Sequence, residues 1–405
     1  MNAQDLPTAR PRTTRLSRRA ARITPMALAA LLPAARAGGA VDLALGIPRG
    51  RPADSAVEAA VAALRSEGNQ YADPAGLLEL RRALAAELAA VRGVPVDAEH
   101  GITISAGATE GVLVALIAAT DPGDEVLVPQ PFFENHPGVV ELAGAVPRYV
   151  PLTDGAWRLE ANALEAAVTP RTRAVLLNNP HNPTGRVFDR AEFDALTDVC
   201  ERHDLTLITD EVYDRFVYDG HRHLSPVGGL PALRHRSVVV GSLSKTRSMS
   251  GWRLGYCLAP PDLTAALRRV HERTTLGAPH PLQHGAVALG PTDEAAVATA
   301  RAQFQDRRDL VCEALRGADC AVRVPQGGWF VLAGTAALAD DSGELARRLV
   351  EDAGVLVAPG ASFFSTPEAG RGWIRIALVR DPAELRTGLD RIATHLTRTP
   401  IPPRS

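Results

Sequence analysis

Lys245 is the only lysine in the chain; the other 43 of its 44 lysine and arginine residues are arginine. It stands in Ser242-Leu243-Ser244-Lys245-Thr246, which closes the apolar run Ser237-Val238-Val239-Val240-Gly241. A guanidinium stays charged at any working pH, whereas a lysine amine in a desolvated, cation-rich pocket can lose its proton and add to an aldehyde. Arg253 follows closely in Ser250-Gly251-Trp252-Arg253. A small-residue turn at the end of a buried strand is where an α/β protein places its chemistry. The competing account is a lysine left by chance on a solvated face.

Three more stretches follow apolar runs. After Ile102-Thr103-Ile104-Ser105 comes Ala106-Gly107-Ala108-Thr109, a small-residue turn entering a helical pattern whose free N–H groups suit a phosphate. Many such turns are glycine-rich for steric reasons alone. After Leu176-Leu177-Asn178 comes Asn179-Pro180-His181-Asn182-Pro183-Thr184-Gly185, where two Asn-Pro steps make a rigid turn that aims Asn182. An ordinary proline turn would look the same. After Leu207-Ile208-Thr209 comes Asp210-Glu211-Val212-Tyr213, an acid where a strand ends, which in isolation also fits a helix N-cap.

The elements that must position these groups alternate in type. Strand-like runs cover Ile102 to Ser105, Glu125 to Val128, Arg148 to Val150, Ala174 to Asn178, Leu205 to Thr209, Ser237 to Ser242 and Leu254 to Leu258. Helical patterns at Thr109 to Ala119, Asn135 to Ala143 and Asp189 to His203 lie between them. Continuous apolar strands with helical connections imply a mostly parallel seven-stranded sheet covered on both faces, with ligands at the strands' carboxyl ends. Upstream, helices are expected from Ser55 to about Glu67 and from Leu77 to Arg92, with Tyr71 on the loop between them and a strand at Val41 to Leu45. The last third changes character. A long helical pattern from about Asp293 to Leu315 precedes strands near Val322 to Val324, Trp329 to Leu332 and Trp373 to Ala377, and helices around Gly343 to Asp352 and Asp381 to Thr394. The expected organisation is a tail and arm over 1–45, a large α/β domain over 46–290, and a smaller α+β domain over 291–405 that packs with the arm.

A length of 405 residues with 46% hydrophobic content supports two sizeable cores, and a net charge of −2 gives no bulk attraction to nucleic acid or acidic membranes. Cys200, Cys257, Cys312 and Cys320 have no CxxC or Cys/His ligand spacing, which disfavours a metal site or a disulfide framework and fits a reducing cytoplasm. Arg18-Arg19 before Met26-Ala27-Leu28-Ala29-Ala30-Leu31-Leu32 resembles a twin-arginine export signal, but Pro25 and Pro33 bracket too short an apolar run. No segment has the length of a membrane span.

Asn182-Pro183-Thr184-Gly185, Asp210-Glu211-Val212-Tyr213, Ser242-Leu243-Ser244-Lys245 and Gly251-Trp252-Arg253-Leu254-Gly255-Tyr256 occur in this order. With them the chain resembles the fold-type I pyridoxal-phosphate enzymes of the class I/II aminotransferase family, from about Arg22 to Leu396. The resemblance implies that Lys245 holds the aldehyde of pyridoxal 5′-phosphate as an aldimine and then shuttles the substrate proton. It implies that Asp210 keeps the pyridine nitrogen protonated, with His136 behind it, and that Tyr213 and Asn182 hydrogen-bond the phenolate oxygen. Phe133 would stack on the ring; a core phenylalanine beside an incidental histidine is the alternative. Ala108, Thr109, Ser242, Ser244 and Arg253 would surround the phosphate. Tyr71 would reach the cofactor of a second subunit, implying a homodimer with shared sites, against the alternative of a buried structural tyrosine. Arg375, in Trp373-Ile374-Arg375-Ile376, would fork onto the substrate α-carboxylate unless it is a surface arginine, and Gly46 would let the substrate approach the backbone.

Within the family, Pro131-Phe132-Phe133, Val217-Tyr218-Asp219-Gly220-His221 and Val270-His271-Glu272-Arg273 look most like the kynurenine, glutamine-phenylpyruvate and methionine transaminases. Departures at Leu276-Gly277 and at Gly46-Ile47-Pro48-Arg49-Gly50 leave the side-chain pocket open, and Thr109 replaces a lysine that some aspartate-type relatives use for a distal carboxylate. The expected enzyme is a cytoplasmic homodimer moving an amino group between an L-amino acid with a neutral, aromatic, sulfur or amide side chain and a 2-oxo acid. Two alternatives stand beside it: elimination, substitution or cyclisation on the same scaffold, and a regulator that binds DNA through its arginine-rich start.

Overall fold

The computed structural model describes residues 17–23, 25–153, 155–335 and 341–398. The expected loose tail over residues 1 to about 15, including the arginine-rich start, lies outside them. Strand β1 (Val41–Asp42) comes first, and β2 (Ile102–Ser105), β3 (Glu125–Gln130), β4 (Val146–Pro151), β5 (Thr172–Asn178), β6 (Thr206–Asp210), β7 (Ser237–Ser242) and β8 (Gly255–Leu258) follow. The last seven form one sheet in the order β2-β8-β7-β6-β5-β3-β4. Only β8 runs antiparallel to its neighbours β2 and β7, so the expected mostly parallel sheet is what forms.

Burial on both faces explains the uninterrupted apolar runs. Val126 and Val128 of β3 and Leu176 of β5 pack into one core with Val112 and Leu116 from helix Ala108–Ala119. Their neighbours Leu127, Val175 and Leu177 face the opposite core, with Phe193 and Leu196 from helix Arg190–Arg202. Asp189 and Glu192 close that helix start as a reciprocal capping box.

The C-terminal third adds β9 (Ala321–Val322), β10 (Phe330–Gly334), β11 (Val355–Leu356), β12 (Ala358–Pro359) and β13 (Trp373–Ala377). A four-stranded antiparallel sheet runs β12-β13-β10-β9. Ile374 and Ile376 pack beneath it with Trp329, Val331, Leu345 and Leu389, the last two from helices Ser342–Ala353 and Pro382–Arg398. The strand expected over Val41 to Leu45 is shorter: only Val41 and Asp42 pair, with Val355 and Leu356 of β11. The next residues then run to the site, tied by Leu43 and Ala377. Helix Leu28–Ala37 packs against helix Ser342–Ala353, so the arm joins the C-terminal layer. None of the described helices is long and apolar enough to cross a membrane.

Candidate active site

Four parallel strands of the large sheet bring their carboxyl ends to one edge, with Ser105, Asn178, Asp210 and Ser242 as last residues. After Ser242 the chain makes one helical turn, Leu243–Thr246, whose first free N–H, on Ser244, donates to Ser242 Oγ at 3.0 Å. This turn carries Lys245 inward. Its Nζ donates to the Gly46 carbonyl at 3.1 Å and sits 4.8 Å from the centre of the Trp329 ring and 5.5 Å from that of Tyr213. Burial pushes the amine down to about 8 against the opposing pull of Asp210, with Arg375 and Arg253 adding to the depression. An amine so placed is neutral in about a tenth of molecules at pH 7, far more than an ordinary lysine.

Gly46 has a local reason beyond substrate access, since a Cβ there would stand 2.6 Å from the Phe330 ring. Asp210 is buried, with Oδ2 3.1 Å from His136 Nε2. Its carbonyl is held by Asn178 Nδ2 at 2.8 Å and by the Asn179 N–H at 3.0 Å. Asn178 also fixes the following turn, because its Oδ1 accepts from the Asn182 N–H at 2.7 Å. Asn182 Oδ1 in turn accepts from Arg375 Nη1 at 2.9 Å, and Arg375 Nη2 donates to the Ala44 carbonyl at 3.1 Å.

Arg375 is 4% exposed, which removes the surface-arginine alternative. Its guanidinium packs on the rings of Phe330 and Phe363, 4.1 and 4.5 Å from their centres, and its Nε is buried without a hydrogen-bond partner among the described residues. Burial pulls it down to about 10, so it remains a cation at neutral pH. Tyr213 is buried as well, and burial raises its phenol, which stays a hydrogen-bond donor.

On the other side Gly107, at φ +83°, leads into helix Ala108–Ala119. A Cβ at this position would come 2.3 Å from Arg253 Nη2, so glycine is what lets the guanidinium lie against the helix start. Arg253 bonds the Ser250 carbonyl at 3.1 Å and has no carboxylate partner among the described residues. Helix N–H groups, Ser242, Ser244 and a cation unpaired by any acid make a donor set suited to a dianion.

These groups line a cavity of about 420 Å³ that contains Ala108, Thr109, Phe133, His136, Asn182, Asp210, Tyr213, Ser242, Ser244, Lys245 and Arg253. Phe133 packs edge-on to His136, with ring centres 5.3 Å apart. A wider cleft of about 620 Å³ beside Trp157, Arg323 and Trp373 has neither a lysine nor a carboxylate among its described lining. Arg375 and Gly46 adjoin the cavity through Asn182 and Lys245. Tyr71 is not brought in: it is 82% exposed, which overturns the buried structural alternative.

Sequence reasoning misses the support beneath Asp210. Arg92, the last residue of helix Leu78–Arg92, donates to Glu211 Oε2 at 2.8 Å and to Asp214 Oδ2 at 3.1 Å. Glu211 also meets His223 Nε2 at 2.9 Å, and His223 Nδ1 lies 3.3 Å from Asn179. Although burial opposes it, the Arg92 and His223 charges and hydrogen bonds hold Glu211 down at about 2. Asp214 moves the other way, raised by burial. One guanidinium thus grips both sides of Tyr213 and the segment that carries Asp210. Only the glutamate within Asp210-Glu211-Val212-Tyr213 hints at this in the sequence, and it does not identify the partner.

The family model described as "Aminotransferase class I and II" matches residues 39–392. The chain is 36% identical over 336 residues to the probable N-succinyldiaminopimelate aminotransferase of Mycobacterium tuberculosis, covering 82% of this chain and 84% of that protein. It is 34% identical to an aspartate aminotransferase of Rhizobium meliloti, covering 84% of this chain and 85% of the other. The solved structure of YbdL from Escherichia coli, a protein identified with a methionine aminotransferase function, superposes with a TM-score of 0.88 at 27% identity, over 94% of this chain and 99% of that one.

Proposed function

The chain belongs to the class I and II aminotransferase family, which works with pyridoxal 5′-phosphate, and on that premise we propose which of its residues carry the transamination and what they act on. The observation that carries the reading is the chain's one lysine, half-buried and depressed to about 8, sharing one cavity with the Asp210–His136 pair and an acid-free phosphate cradle. When bound, the cofactor supplies an aldehyde and an electron-accepting ring. Lys245 is the residue that would hold that aldehyde and the base whose Nζ would take the proton from the substrate Cα and deliver it to the former aldehyde carbon. Asp210 holds the proton on the ring nitrogen, and His136 orients its carboxylate. Tyr213 and Asn182 present donors to the ring oxygen, and Phe133 covers a ring face. Ala108, Thr109, Ser242, Ser244 and Arg253 hold the phosphate. Arg375 takes the α-carboxylate, while the Gly46 backbone lies beside the amine.

The division into an arm to residue 45, a cofactor domain over 46–290 and a small domain over 291–405 is part of this proposal, as is a homodimer in which exposed Tyr71 reaches the partner's phosphate. The cytoplasm is the proposed location, supported by four buried cysteines with free thiols. For the amino donor we favour an L-amino acid with a neutral, aromatic, sulfur or amide side chain. Ile47, Val112, Val139 and Val212 give the cavity apolar walls, and the only lysine or arginine side chains among its lining are those of Lys245 and Arg253. A panel of amino donors with a common 2-oxo acid tests this. Phenylalanine, methionine or glutamine should exceed aspartate at least tenfold in kcat/KM; aspartate as the best donor would overturn the side-chain assignment.

A further inference from the structure

Outside the active site, His280 and His284 lie one turn apart on helix His280–Ala288, with Nε2 atoms 3.2 Å from each other. Two nitrogens at 2.0–2.1 Å from a tetrahedral zinc ion stand about 3.3 Å apart, so the spacing already matches a two-imidazole bite. The tautomer is set for it. His280 Nδ1 is 2.9 Å from the Gln70 carbonyl oxygen, which can only accept, so Nδ1 carries the hydrogen and Nε2 presents its lone pair. A ring nitrogen donating to a backbone carbonyl while the other faces the ion is the usual outer support of a metal-bound histidine. Without a metal, His284 Nε2–H can donate to His280. With one, that hydrogen moves to His284 Nδ1 and both Nε2 atoms become ligands.

The scaffold between the two rings is fixed. Gln283 is fully buried, accepting from the Leu77 N–H at 2.8 Å and donating to the Ala278 carbonyl at 3.0 Å. Gly285 has no room for a side chain, since a Cβ would come 2.5 Å from Trp252 and 2.6 Å from the Ala56 carbonyl. The helix is therefore held in one orientation against its neighbours, with both histidines on its half-buried side. Both are half-buried, and neither is paired with a carboxylate among the described residues. Those residues hold no group of three or more histidine, cysteine or acidic ligands, so the chain offers two ligands and leaves the other positions to water.

We propose that His280 and His284 form a binding site for one divalent transition-metal ion of the kind that prefers imidazole, such as zinc. Because His280 also holds the Gln70 carbonyl, next to exposed Tyr71, an ion here would tighten the loop over helix His280–Ala288.

The test is calorimetric titration of zinc ion into the untagged holoenzyme. One ion per chain should bind, and His280→Ala, His284→Ala and the double variant should each weaken binding at least tenfold. All three variants should keep the wild-type far-UV circular dichroism and cooperative thermal unfolding, which shows that they are folded. Zinc bound equally by wild type and double variant, or no binding by wild type up to about 1 mM zinc, would overturn the proposal.

Discussion

Asn182 Oδ1 accepts a 2.9 Å hydrogen bond from Arg375 Nη1, joining the turn after β5 of the large sheet to β13 of the small one across 193 residues of chain. The residue proposed to touch the cofactor ring and the residue proposed to grip the substrate are therefore one polar unit. Phe330 and Phe363 both pack on the guanidinium, and Arg375 is almost wholly removed from water.

From this follows the behaviour of Arg375→Lys. A point charge cannot reproduce the fork, and a carboxylate buried without its partner costs about 2 to 5 kcal/mol. At the lower bound kcat/KM for amino acids falls about thirtyfold, while the cofactor stays bound through its phosphate. Amines without a carboxylate should react as they do with wild type. Wild-type kcat and KM for a good amino acid in Arg375→Lys would place the carboxylate site elsewhere.

The depressed Lys245 amine makes cofactor capture pH-dependent. Only the neutral amine attacks the aldehyde, and its fraction grows as pH rises through about 8 rather than through the ordinary 10.5. Stopped-flow mixing of apoenzyme with pyridoxal phosphate should give a capture rate that climbs through pH 8 and levels off above it. A rate still climbing at pH 10 would mean that the desolvated pocket does not shift the amine.

Removing the Arg92 cation by Arg92→Met should destabilise the protein by about 3 to 5 kcal/mol at neutral pH, because Glu211 would remain buried without its cation. The sign of the pH effect follows from Glu211, whose carboxyl is lowered from 4.5 to about 2 in the folded chain. Its stabilisation is present above the unfolded value and is lost as pH falls through the folded one. The gap between wild type and variant in urea unfolding should therefore narrow below about pH 4.5. A gap that is constant with pH would remove Glu211 as its source.

Much of this was legible in the residues. The runs Ile102 to Ser105, Ser237 to Ser242 and Trp373 to Ala377 form strands with the expected ends, because each is a burst of β-branched or apolar residues bounded by turn formers. The pairs β1 with β11 and β12 with β13 were not legible, since two-residue strands have no period to read and owe their pairing to tertiary contact. The same limit hides Arg92, one of 43 arginines, whose partner Glu211 is 119 residues away. Trp329 over the Lys245 amine is hidden for the same reason: the contact spans the two sheets, and a tryptophan in an apolar run reads only as core. By contrast, Lys245, Asp210 and Asn182 stand directly after or at strand ends, where chain order alone brings them to one edge of the sheet.

Reduction of the holoenzyme with borohydride, followed by peptide mapping, bears most directly on Lys245 as the cofactor-binding residue. One pyridoxyl group per chain should appear on Lys245, with loss of the visible band, and Lys245→Ala should take up none. A pyridoxyl group found on the α-amino terminus with Lys245 unmodified would contradict the account.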